Sequence, residues 1–477
     1  MNTGILLAAC TYILALLLIA RLSYKRSKSS SDFAMGGRSL NFYVTALSAH
    51  ASDMSSWLFL AYPAAIYTLG GSQAWIAVGL VLGMWANWQF VAPRLRRETE
   101  RTGSLTLSGY FAARFNDRSG LLGTLGALLS LFFFTVYISS GLVGVGTIFD
   151  SVLGINSVVG MTIGIVVVLL YTLVGGYTSV CWVDLFQALF LMAAICIVPI
   201  VALISLGSFE PITAAAHVKQ IPLSLMPGDA LTSLPLILAT LFGWGLGYFG
   251  QTHILSKFMG IKRPEELKKS KYVGLSWQIV CLAAATLIGL VGIAFDTEGL
   301  KNSELLFPLI VKDLFHPFAA GLILCAILAA TISTMDSQIL VLAPILSEDL
   351  YHRLFRKRAS EQEILIACRC SVALVGLSAY LIAITSGKSV IELVQYAWSG
   401  LGAAFGPLLL MALYSKKANR GGAIAGMCTG GLVAALWGSL PIPYHIPPLI
   451  PGFFLNLAVI YAVSIRSSQQ SQEVASQ

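Results

Sequence analysis

The sequence predicts an all-α polytopic membrane protein with about thirteen transmembrane helices. Two observations carry this. Of 477 residues, 57% are apolar and only 11% charged, against the roughly 25% charged of an ordinary soluble domain. Apolar runs of about 18 residues or more also recur along the chain, each long enough to cross about 30 Å of hydrocarbon as a helix.

The first run, 4–20, has no basic residue before it and a basic stretch after it, the reverse of a cleavable signal peptide, so it reads as an anchor with its N-terminus outside. The second, 42–70, is long enough to cross but holds a nine-residue stretch of mostly small side chains, Ser48 to Ser56. Uninterrupted apolar runs then follow at 73–93, 121–149, 157–175 and 182–205. The seventh, 231–255, is dense in glycine, with Gly243, Gly245, Gly247 and Gly250 between Trp244, Tyr248 and His253. The remaining runs are 274–295, 317–345, 363–385, 390–414, 422–441 and 446–465.

The connections 21–41, 94–120, 256–273, 346–362 and 415–421, with the tail after Ile465, hold nearly all of the 30 Lys and Arg. The exceptions are Lys219, Lys301, Lys312, Lys388 and Arg369. An odd number of spans with this bias puts the N-terminus outside and the C-terminus in the cytoplasm, because basic loops are retained on the inner side. The net charge of +8 is then explained by membrane edges. No basic surface interleaved with aromatics calls for nucleic acid.

Several functions are excluded. The connections leave no room for a separate catalytic domain, so an enzyme is not expected. The eight cysteines have no ligand-type spacing and read as small packing residues. The segment Gly245 to Gly250 spells a dinucleotide fingerprint, but inside an apolar run and without a preceding strand. Gly387-Lys388-Ser389 ends like a phosphate loop, yet Ile382 stands where its first glycine belongs. No ATP-driven motor is visible, no cofactor is implied, and nothing points to an obligatory protein partner; the lipid bilayer is the expected surrounding.

Broken helices are tolerated at membrane depth only where they border protein or a cavity. The small-residue stretch of the second run and the glycines of the seventh occupy matching places if two five-helix halves begin at those runs, and breaks at matching places in inverted halves point to a transport site. The competing reading gives the glycines to close helix packing alone. Acidic residues well inside the runs are Asp53, Asp184 and Asp336. An ionisable group there costs about 2.5–3.5 kcal/mol even on the lenient insertion scale, so each is a functional candidate. Asp184 also reads as a solvated residue near a span end.

These residues resemble a family, the solute:sodium symporters, and within it the members that carry proline. The similarity runs from about Asp32 to Ile465. It is carried by Gly36-Gly37-Arg38-Ser39-Leu40, Val44 to Ala49, Ala51-Ser52-Asp53-Met54-Ser55, Val91 to Arg96, Gly243 to Gly250, Ile327 to Ala330 with Ser333-Thr334, and Ala403 to Pro407. The resemblance implies a leucine-transporter-type five-plus-five inverted repeat with one extra N-terminal and two extra C-terminal helices. The expected division is an N-terminal helix and basic loop (1–41), the first repeat (42–205), an extracellular loop (206–230), the second repeat (231–414), two further helices (415–465) and a cytoplasmic tail (466–477). The implied activity is sodium-coupled import of L-proline, or of another small amino acid, a betaine or a monocarboxylate, across a cytoplasmic membrane. A membrane sensor and a passive channel are the rivals from other classes.

By position, the resemblance assigns sodium to the carbonyls of Ala51, Met54 and Ala330 and the hydroxyls of Ser333 and Thr334, with Asp53 in support. The solute falls to Ser55, Trp57, Tyr137, Trp244, Tyr248 and Thr252. Four positions depart from the proline-carrying pattern. His50 and Ser56 replace Gly, Thr252 replaces Pro and Asp336 replaces Ser. Asp184, Ser333, Asp336 and Ser337 are by the same resemblance candidates for a second cation site. Alternatively, the two carboxylates share a proton, or Asp336 is solvated at a cavity wall.

Overall fold

The computed structural model describes residues 3–23, 30–226, 228–296, 299–440 and 446–475. Residues 24–29 of the expected basic connection 21–41, and the sequence 441–445, lie outside it. Among the described residues the chain is helical, with one isolated bridge between Leu40 and Ile261. Ten helices are long and apolar enough to cross a membrane. Three shorter apolar helices, Thr3–Ile19, Ser56–Leu69 and Ser157–Leu170, coincide with parts of the first, second and fifth expected spans.

In chain order the helices are α1 (Thr3–Ser23), α2 (Ser30–Met35), α3 (Phe42–Met54), α4 (Ala61–Leu69), α5 (Ala74–Ala86), α6 (Ala92–Arg101), α7 (Leu107–Arg114), α8 (Leu121–Leu153), α9 (Ser157–Leu206) and α10 (Glu210–Val218). They continue as α11 (Ala230–Gly245), α12 (Thr252–Met259), α13 (Leu267–Phe295), α14 (Leu306–Leu314), α15 (Pro317–Pro344), α16 (Glu361–Thr385), α17 (Val390–Tyr414), α18 (Arg420–Leu436) and α19 (Leu449–Ala475). Many starts are fixed by side-chain caps: Asn41, Thr106, Asn156, Asp229, Ser360 and Asn419 each accept a backbone N–H of the first turn, which satisfies a donor the helix cannot.

The stretch α9 holds two helices that meet at a break in the helical backbone at Gly176 (φ 61, ψ −170), in the gap the sequence leaves between spans five and six. That φ lies where a side chain is disfavoured. Both glycine-rich or small-residue runs are broken. The second run stops at Ser55, whose φ of 48 and ψ of −167 end α3 before a short 3-10 turn, Ser56–Leu58, and α4. The seventh run passes from α11 through a 3-10 segment, Leu246–Gly250, and an extended Gln251 into α12.

Two basic residues that read as membrane-edge charge also bind helix ends together. Arg38 donates to the Thr99 hydroxyl at 3.2 Å and to the carbonyls of Met259, Thr99 and Ser104 at 2.8–3.0 Å. Arg96, buried, donates to the Ile261 carbonyl at 2.8 Å and pairs with Glu100 at 2.8 Å. Segments that carry the family resemblance, Gly36 to Leu40 and Val91 to Arg96, therefore meet the turn after α12. Among the described residues, the apolar stretches of α15 and α17 are the most enclosed of the membrane helices, each 78% buried. These two face the broken helices.

Candidate functional site

Helix breaks leave carbonyls and N–H groups without their i to i+4 partners. At the end of α3 the loss is specific. The N–H of Ser55 would have closed the last turn on the Ala51 carbonyl. It instead donates to Thr334 Oγ1 on α15 at 3.1 Å. The Ala51 carbonyl accepts from Ser333 Oγ at 3.0 Å. Ser333 and Thr334 also each donate within 3.0 Å of the Ala330 carbonyl. The set Ala51, Ala330, Ser333 and Thr334 is thus one buried cluster of neutral oxygens across α3 and α15, with Met54 as the last helical residue beside it. Hard oxygens in a neutral cage at a helix C-terminus suit a small cation, which the helix dipole assists.

Asp53 points away from this oxygen cluster. Its carboxylate accepts from the Tyr248 phenol at 2.5 Å, and that phenol oxygen accepts from Gln278 Nε2 at 2.9 Å. All three are buried. This chain joins the break in the second run to the break in the seventh and then to α13. Asp53 therefore sits between the oxygen cluster and the aromatic cavity and touches the latter.

The cavity is small, about 10 Å³, close to the roughly 10–15 Å³ that a single water requires. It is lined by Asp53, Met54, Trp57, Leu80, Tyr137, Trp244, Tyr248, Val394 and Trp398. Trp57, Tyr137, Trp244 and Tyr248, named from the sequence for the solute, come together here. Ser55 does not line it; the Ser55 hydroxyl accepts from the Trp57 N–H at 3.2 Å and its backbone serves the oxygen cluster. Thr252 does not line it either. It is buried at the first residue of α12, and its hydroxyl has no partner among the described residues.

Trp398 on α17 escaped the sequence reading because its segment has no helix break and no charge beside it to mark it out. Its indole N–H donates to the Trp244 carbonyl at 3.0 Å, and its ring meets Tyr248 edge-on at 5.1 Å. Trp244 and Trp398 also line a second cavity of about 460 Å³ with Gln395, Ser399, Trp437 and Pro447. The two indoles separate the large cavity from the small one.

The glycines of the seventh run do both things the sequence allowed. A Cβ on Gly245 would lie 2.6 Å from the Gly79 carbonyl, on Gly247 2.0 Å from the Trp398 indole, and on Gly250 2.2 Å from the Leu401 carbonyl. They permit close approach, and the segment they occupy is also the break. His50 and Ser56 are accommodated by glycines opposite: a Cβ on Gly274 would meet the His50 ring at 2.3 Å, and one on Gly144 the Ser56 hydroxyl at 2.5 Å. His50 accepts from the Trp88 indole N–H at 3.2 Å. Neither His50 nor Ser56 lines the small cavity.

Asp336 and Ser337 lie one turn along α15 from Ser333, and Asp184 on α9 accepts from the Ser337 hydroxyl at 3.4 Å. All three are buried. The centre of the group is an ammonium. Lys257 Nζ, on α12, lies 3.0 Å from Asp184 Oδ2 and donates to Ser337 Oγ at 2.9 Å. Ser48 on α3 donates to the same Asp184 oxygen at 2.6 Å. From the sequence, Lys257 had read as part of the basic connection 256–273.

The sequence matches the Sodium:solute symporter family over residues 33–430. It is 40% identical to the high-affinity proline transporter PutP of Bacillus subtilis over 97% of this chain and 98% of the relative. It is 39% identical to the sodium/proline symporter of Escherichia coli over 97% and 93%. Among solved structures it resembles a substrate-bound, outward-open Na⁺-coupled sialic acid symporter, at a TM-score of 0.83 and 18% identity over 97% of this chain and 98% of the other. The fold is accordingly the leucine-transporter type.

Proposed function

The chain belongs to the sodium:solute symporter family, and from that premise we propose that it is a sodium-coupled importer of L-proline rather than an enzyme. One observation supports this reading above the rest. The break at Ser55 is closed by hydroxyls of a second helix, so a neutral oxygen cluster stands directly beside an aromatic cavity. Sodium, the coupling ion, would take the carbonyls of Ala51, Met54 and Ala330 and the hydroxyls of Ser333 and Thr334. Binding exchanges the hydrogen bonds among those groups for ion contacts. Because Ser55 N–H is one of the released partners, sodium binding would reshape the break that borders the solute.

The solute would sit between Trp57, Tyr137, Trp244 and Tyr248, whose faces suit an apolar ring, once the small cavity they line has opened, with Ser55 and Thr252 acting on the breaks at either side. Asp53, held by Tyr248, would couple the two broken segments. The carrier would lie in the cytoplasmic membrane with its N-terminus outside and its C-terminus inside, following the basic connections. At about 2.3 kcal/mol per charge per 100 mV and about 1.4 kcal/mol per tenfold sodium gradient, one sodium would sustain roughly 500-fold accumulation of a zwitterion. The test is uptake of labelled proline by proteoliposomes with and without inward sodium, challenged by unlabelled amino acids, betaines and monocarboxylates. Sodium-dependent uptake blocked best by proline supports the reading. Stronger block by another solute would reassign the substrate, and sodium-independent equilibration would leave a passive pathway instead.

A further inference from the structure

A carboxylate at membrane depth needs a compensating cation, and the junction of α3, α9, α12 and α15 supplies its own. Lys257 and Asp184 are 1% and 0% exposed in their side chains and lie 3.0 Å apart. The ammonium also donates to Ser337 Oγ, and Asp184 Oδ2 accepts from the Ser48 hydroxyl. Cys181 Sγ stands 3.5 Å from Nζ, and the Tyr177 ring centroid lies 5.5 Å from it. Asp336 adds a second carboxylate to the field at Lys257. One carboxylate oxygen of Asp184 and the Ser337 hydroxyl, groups a small cation could use, are therefore engaged by a covalently tethered one.

The position of this group makes it part of the transport cycle. Ser48 is one turn before Ala51 and Ser52 on α3, and Ser337 is one turn after Ser333 on α15, so the charged junction stacks directly on the neutral oxygen cluster. Lys257 rides on α12, the half-helix that follows the break in the seventh run. A sodium ion there would have to displace the ammonium or sit against it, and like charges at such separations repel.

We propose that Lys257 is the resident cation of this junction, its ammonium standing where a free sodium ion would otherwise have to neutralise Asp184. The inference rests on the sodium-symport reading above. It predicts that neutralising Lys257 while keeping Asp184 opens a sodium site, because the buried carboxylate is left to recruit a counter-ion from solution.

The experiment compares wild type, Lys257→Gln and the double variant Lys257→Gln with Asp184→Asn in purified, monodisperse form. It measures sodium-dependent proline binding and the sodium dependence of thermal unfolding, each fitted for a Hill coefficient. The expected wild-type coefficient is one. Lys257→Gln should require more sodium and show a coefficient approaching two, with its unfolding temperature rising more steeply with sodium than that of wild type. The double variant, which also removes the carboxylate paired with Lys257 and keeps only Asp336, should lose most of the added sodium component in both readouts. A wild-type coefficient above one would overturn the proposal, as would a Lys257→Gln protein whose unfolding responds to sodium as wild type does. If wild type binds no proline at any sodium concentration, the symport reading fails instead. The unfolding readout still reports on the junction in that case.

Discussion

Replacing Tyr248 by Phe removes one oxygen from the centre of the link between the two broken runs. The Tyr248 phenol is fully buried, donates to Asp53 at 2.5 Å and accepts from Gln278 at 2.9 Å. A buried hydrogen bond to a charged group contributes about 1.5–3 kcal/mol, and its loss leaves the carboxylate without that partner. At about 1.4 kcal/mol per decade, Tyr248→Phe should raise the sodium or proline concentration for half-maximal uptake roughly tenfold to a hundredfold. Asp53→Asn removes the charge and keeps the shape and hydrogen-bonding capacity, and should impair sodium-driven uptake without blocking membrane insertion. If both weaken the same bond, the effects should fall short of additive, giving a coupling of about 1 kcal/mol in a double-mutant cycle, the difference between a charged and a neutral buried hydrogen bond. The assay is proline uptake against sodium concentration in proteoliposomes of matched protein content. Wild-type behaviour of Tyr248→Phe, or single effects that add within about 0.5 kcal/mol, would refute the reasoning.

Three further outcomes follow from the geometry. Ser333→Ala and Thr334→Ala each remove a hydroxyl that bridges α15 to the end of α3, and should raise the sodium requirement more than they alter proline binding at saturating sodium; an altered solute preference with sodium dependence untouched would show the two faces wrongly assigned. Thr252→Pro should fold, because the first helical position tolerates proline, and should shift preference toward proline only partly, within the roughly 1–3 kcal/mol that one apolar contact is worth; an unchanged competition profile would remove Thr252 from selection. Gly83→Ala would set a Cβ 2.2 Å from the Gly245 carbonyl, between α5 and α11, and should destabilise by about 1–3 kcal/mol through overpacking, read as a lower unfolding temperature in detergent; an unchanged one would mean the two helices can part without cost.

What could be read from the chain was whatever is local. Hydropathy placed the spans because membrane insertion acts on each run separately. The breaks were visible because small residues in Ser48 to Ser56 and the spaced glycines of 243–250 are improbable as lipid-facing helix. Asp53 stood out because a carboxylate has few reasons to lie in hydrocarbon. Its partner did not, since nothing in the neighbourhood of Tyr248 or Gln278 announces a bond spanning 195 residues. Trp398 was hidden in the same way.

Lys257 is the most instructive omission. It is followed closely by Lys262, Arg263, Lys268 and Lys269, and so reads as the start of a solvated basic connection. Only the extended Gln251, which redirects the chain before α12, carries it inward to Asp184. Pairing across helices is a property of the fold and leaves no periodic trace. The break at Gly176, by contrast, falls in the gap between 175 and 182 at which hydropathy separates spans five and six.

The coupling itself is tested most directly by static-head accumulation. Proteoliposomes held at zero membrane potential with potassium and valinomycin are given graded inward sodium gradients, and the final ratio of internal to external proline is measured. The account predicts uphill accumulation whose ratio rises tenfold for each tenfold of sodium gradient and vanishes without one. A ratio that stays at unity across every sodium gradient would contradict sodium-coupled proline transport.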